Sequence, residues 1–148
     1  MHTFRSKLLL SAVVLAASGC TMSNSSRTGQ DPTGTTWVFE HVADQALPDR
    51  VRVSMAFEPG EGRVFGHAGC NRYTASYTFE DGTLTIGMAA ATKMACPEAL
   101  MVVEDRFLST LGSALSVSID PDSGRLDLTA PDGTRSSAFP AAKDDADE

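Results

Sequence analysis

Beyond its first twenty residues, this 148-residue sequence has no long apolar run, few basic side chains, a single tryptophan and no internal repeat. The missing apolar run excludes, after residue 20, any helix able to span about 30 Å of hydrocarbon. Twelve basic residues against nineteen acidic ones disfavour nucleic acid and anionic lipid as partners. The three cysteines show none of the short spacings that mark zinc modules. Gly60-Glu61-Gly62 lacks the strand and helix setting of a phosphate loop. Asp120-Pro121-Asp122-Ser123-Gly124 lacks the glutamate and flanking helices of a calcium loop, so both stretches read as turns.

What the sequence does contain begins at its N-terminal end. Arg5 and Lys7 precede an apolar run from Leu8 to Ala17 that ends in small residues, which is the layout of a secretory signal. Ten helical residues reach only about 15 Å, too short to cross a bilayer. The run closes on Ala17-Ser18-Gly19-Cys20, which resembles the lipobox of bacterial lipoprotein precursors, with Ala17 where leucine is usual. The resemblance implies that residues 1–19 are a cleaved signal peptide and that Cys20 carries lipid. Thr21, rather than aspartate, then implies sorting to the outer membrane with the domain facing the periplasm. Cleavage removes Arg5 and Lys7 and no acidic residue, leaving ten basic against nineteen acidic side chains and a net charge of −9.

Residues 20–34 read as the lipidated cysteine followed by a polar tether whose ends would sit roughly 20 Å apart. Residues 141–148 read as an acidic disordered tail. Between them, residues 35–140 suffice for one small domain with a modest core. Most of its patterning has period two: Val51, Val53, Met55 and Phe57 alternate with polar or small residues, as do Tyr73, Ala75, Tyr77 and Phe79. Asp81-Gly82 is a strong hairpin signal, and Gly124 and Gly133 mark later turns. One stretch breaks the period. From Pro97 to Gly112, Leu100, Val103, Phe107 and Leu111 form a helical stripe with Glu98 at its start. The expectation is an α+β fold: a curved, mostly antiparallel, barrel-like sheet of about eight strands, with one helix over 97–112 covering an open face. Tyr73 and Tyr77 are expected to share a strand face and pack on that helix.

In an exported chain the default for Cys70 and Cys96 is a disulfide. Two other readings stand beside it. His67 three residues before Cys70 suggests a thiolate and its base, but residues three apart on a strand project to opposite faces. A zinc site from His67, Cys70 and Cys96 lacks a fourth ligand.

The surrounding residues carry a more specific signal. Gly66-His67-Ala68-Gly69-Cys70-Asn71-Arg72-Tyr73 resembles the G-x-x-G-C-N-x-Y segment of the META domain family. Thr92-Lys93-Met94-Ala95-Cys96-Pro97 resembles its T-x-M-A-C-P segment. Gly34-Thr35-Thr36-Trp37 is similar to the family's opening G-x-x-W, and the stretch from Glu104 to Leu111 to its E-x-x-F-L-x-x-L helix. The layout is that of HslJ-like lipoproteins. The resemblance implies a compact α+β envelope domain, associated with heat shock, novobiocin resistance or secretion, with no established catalytic activity or cofactor.

The family-motif residues are therefore Trp37, Gly69, Asn71, Tyr73, Thr92, Met94, Pro97 and Glu104. By their own chemistry Trp37 is a core anchor and Asn71 a turn residue. Glu104 beside the apolar stripe is either a partly buried, hydrogen-bonded carboxylate or a solvated flank. The functional expectation is a non-enzymatic, membrane-anchored lipoprotein that binds an unidentified envelope protein, with no metal. The alternative is an envelope enzyme using Cys70 or a carboxylate such as Glu104.

Overall fold

Alternating apolar positions produce ten strands and one helix in the computed structural model of the chain, which describes residues 30–142. The strands are β1 (Trp37–Val42), β2 (Gln45–Ala46), β3 (Ser54–Glu58), β4 (Arg63–His67), β5 (Arg72–Glu80), β6 (Thr83–Ile86), β7 (Ala90–Ala91), β8 (Leu115–Ile119), β9 (Leu126–Thr129) and β10 (Arg135–Pro140). The helix α1 spans Glu98–Leu111. Eight of the strands pair antiparallel in the order β10-β9-β8-β6-β5-β4-β3-β1, and β1 pairs again with β10, closing the barrel. β2 and β7, two residues each, extend β1 and flank β5. The α+β, eight-stranded, one-helix architecture read from the sequence is the one observed.

Period-two alternation fills the barrel. Trp37 and Phe39 on β1, Met55 on β3, Val64 on β4, Tyr73 and Ala75 on β5, Leu84 on β6 and Leu128 on β9 are all buried. Turn chemistry sets the register: Asp81 and Gly82 take φ of 49° and 76°, the left-handed pair that a two-residue hairpin requires. A second such turn lies at Ala43 and Asp44, with φ of 49° and 60°, where no glycine announces it. Contacts with β10 hold it there. Asp44 N–H donates to the Arg135 carbonyl at 2.7 Å, and Ala43 N–H donates to Oγ of the buried Ser136 at 3.0 Å.

Because β1 and β10 close the sheet, no open face remains for the helix. β4 ends, β5 begins and β6 ends at one rim of the barrel, and α1 lies in the connection from β7 to β8 at that rim. Its stripe of Val103, Phe107 and Leu111 is buried. Phe107 meets Phe39 and Tyr73 edge-on, with ring centroids 5.2 and 5.4 Å apart. Tyr77, expected on the helix, instead packs edge-on against Phe57 at 4.9 Å.

Two boundaries shift. Residues 31–34, assigned to the tether, belong to the fold. Asp31 caps a short 3₁₀ turn at Pro32–Gly34, Pro32 is buried, and its carbonyl accepts the Trp37 indole N–H at 2.8 Å. At the other end, Ala141 N–H donates to the Thr36 carbonyl at 2.8 Å, so the first residue of the expected tail prolongs the β1–β10 ladder. Residues 1–19, read as a signal peptide, Cys20 and residues 143–148 lie outside the described residues.

Candidate functional site

Three segments that the sequence motifs singled out meet at the rim under α1: the turn from β4 to β5, the strap of residues 90–97, and the helix. Cys70 and Cys96 are joined in a disulfide, with Cα atoms 6.0 Å apart. The turn depends on two glycines. A Cβ on Gly66 would lie 2.1 Å from the Ser54 carbonyl oxygen, and Gly69 has φ of +108° with the Val103 side chain 3.2 Å from where its Cβ would be. The close approach lets Tyr73 donate its hydroxyl to the same Ser54 carbonyl at 3.1 Å, while Ser54 Oγ accepts the His67 N–H at 3.2 Å.

Asn71 is the centre of the cluster. It is buried and far more than a turn residue. Its backbone N–H donates to Glu104 Oε2 at 2.7 Å, and its side-chain Nδ2 donates to Glu104 Oε1 at 3.0 Å. Its Oδ1 accepts the Met94 N–H and the Thr92 hydroxyl, both at 2.8 Å. Thr92 in turn binds the backbone of Arg72 from both sides: its Oγ1 accepts the Arg72 N–H at 3.2 Å and its N–H donates to the Arg72 carbonyl at 3.0 Å. The reading of Glu104 as a hydrogen-bonded carboxylate is the one realised. One asparagine thus ties helix, turn and strap with both ends of its amide.

The remaining motif residues have structural places. Trp37 is a core anchor with its indole N–H satisfied, and Pro97 is the N-cap of α1. Met94 contributes its backbone to Asn71 and leaves its side chain 59% exposed. His67 stands opposite Arg72 on the neighbouring strand. Burial and the charges of Arg72 and Arg52 hold its imidazole below the ordinary range, so it is neutral at pH 7. The sulfur it was weighed against is committed to Cys96. Among the described residues, no three His, Cys, Asp or Glu side chains converge as a metal-ligand set. The Asn71 network was hidden from sequence reading because its partners lie more than twenty residues away. The paired hydroxyl and backbone positions at Thr92 and Met94 were the available signal.

A small antiparallel barrel, plugged at one rim by a helix and fastened there by a disulfide and an asparagine–carboxylate network, defines a disulfide-braced α+β domain. The META domain family matches residues 30–143, most of the chain, and the chain belongs to that family; the HslJ-like layout is consistent with it. No curated protein matches significantly. A solution structure of a protein from Burkholderia xenovorans is similar at 24% identity and a TM-score of 0.63, covering 75% of this chain and 84% of that one. A second solution structure is similar at 20% identity and a TM-score of 0.57, covering 71% and 87%. At these identities the likeness is one of fold.

Proposed function

We propose that the chain is an envelope lipoprotein, anchored through lipid on Cys20 to the outer membrane and facing the periplasm. Its META domain acts without catalysis, by binding another envelope protein in the response to envelope stress. One observation carries the non-catalytic reading. The thiols and the carboxylate of the motif cluster are engaged in internal bonds: the two thiols with each other, and both Glu104 oxygens with Asn71. The thiols are bonded to each other, and Glu104 is held by Asn71 with no general base bonded to it, so neither is arranged as an activated nucleophile. Anchoring is supported by the signal-like residues 1–19 and the lipobox ending at Cys20. Two or more acyl chains on that cysteine would make membrane attachment effectively permanent.

Metabolic palmitate labelling tests the anchor. Label is expected on the wild-type chain and absent from Cys20→Ala; label that persists in Cys20→Ala overturns it. Substitution tests the non-catalytic reading. Glu104→Gln is expected to lower stability and to leave the envelope phenotype intact wherever the protein still folds. A folded Glu104→Gln that behaves as a null would restore the enzyme reading.

A further inference from the structure

Among the described residues, the two longest stretches without Asp, Glu, Lys or Arg are residues 82–92 and 107–119. The fold brings them together. β6 pairs β8 only through Thr83↔Ser116 and Leu84↔Leu115. Beyond that short ladder the wall parts, and Ile86, Gly87, Met88 and Ala89 face Leu108, Leu111 and Gly112 across an open groove of about 420 Å³.

A bulge explains what stands beside the groove. Gly87 N–H donates to the Ser76 carbonyl in register with Tyr77↔Ile86, but pairing then resumes at Thr74↔Ala90. Ala75 therefore faces two residues, Met88 and Ala89. An inserted residue turns its side chain out of the sheet. Met88 is accordingly 98% exposed, while Ile86 and Leu111, which line the groove, are buried.

We propose that this face docks a second copy of the chain, with Met88 of each copy entering the groove of the other about a twofold axis. Knob and groove lie side by side on one patch, which is the self-complementarity an isologous interface requires. Methionine is unbranched and adaptable, suited to an open, irregular groove. Charge selects the same face. Two copies carrying a large negative charge repel each other over most of their surface, and an uncharged patch is where they approach at least cost. The inference stands on the domain and does not require the lipid.

Two differently tagged full-length copies, each with Met88→p-benzoylphenylalanine, are co-expressed and irradiated. The expected product carries both tags, with attachment mapped to residues 86–89 or 108–112. Adducts only to other proteins, or none joining the two tags, overturn the proposal. Sedimentation of the Cys20→Ala chain, with and without Met88→Lys, gives the second readout. Met88→Lys should leave the urea midpoint unchanged and weaken self-association at least about tenfold. Equal self-association in both chains also overturns it. Loss of the palmitate label, by contrast, bears only on the anchor.

Discussion

Asn71, itself buried, bonds simultaneously to α1 through Glu104 and to the strap through Thr92 and Met94, so its removal strands several partly buried groups at once. Asn71→Ala is expected to cost about 2–3 kcal/mol in urea melts, above the cost of one hydrogen bond, because several bonds are lost together and their partners are only partly open to water. Glu104→Gln retains an acceptor and should cost less. Tyr73 gives a pH signature. Burial raises its phenol far above the usual range, so the folded protein keeps it neutral while an unfolded chain loses that proton near about pH 10. Stability is therefore full below about pH 10 and falls as the pH rises above it. Tyr73→Phe should flatten that alkaline fall, at the cost of the bond to Ser54. His67 acts in the opposite direction: its depressed basicity favours the folded state above about pH 6.5, and that contribution is lost as the pH drops through this range. Sequence reading was weakest at this scale. Asn71 looked like a turn residue because asparagine after glycine and cysteine has a sufficient local explanation. Nothing nearby in the chain pointed to Glu104, thirty-three residues on.

Beyond its short ladder with β5, the strap of residues 90–97 is held to the barrel by the Cys70–Cys96 bond and by the network through Asn71. Closing a loop of about 27 residues contributes roughly 3.5 kcal/mol on the chain-entropy estimate. Cys70→Ser and Cys96→Ser should each lose about that much in urea melts, and the double variant should be no worse than either. Clearly additive losses would contradict a shared bond. Elements were far more legible than contacts. The alternation at Val53, Met55, Tyr73 and Ala75 and the stripe at Val103, Phe107 and Leu111 announce strands and helix through burial alone. The Ala43–Asp44 hairpin was not legible, because its left-handed residues are stabilised by Arg135 and Ser136 on the distant β10. The bulge at Met88 was hidden too, since one extra residue leaves composition and pattern almost unchanged.

At the scale of the whole molecule, a barrel-like antiparallel sheet of about eight strands was visible in the strand count, but not that β1 and β10 would close it, since their pairing depends on how far the sheet curls. That closing ladder joins Trp37 to Pro140 and Val38 to Phe139. Deleting residues 135–148 leaves β1 and β9 each without one of its neighbours and Asp44 without Arg135. The shortened chain should show no cooperative melt by circular dichroism and should be degraded rapidly by protease, while the full chain resists. The same closure has a temporal meaning. On the proposed route to the periplasm, threaded N-terminal end first, β1 emerges early and finds β3 soon after, but waits for β10, its second long-strand partner, until about a hundred further residues have followed. Long-range pairings are slow to form because loop closure comes before any reward. Closure of the barrel therefore waits for β10, so the order of strands puts the last fastening of the fold after nearly all of the chain has passed.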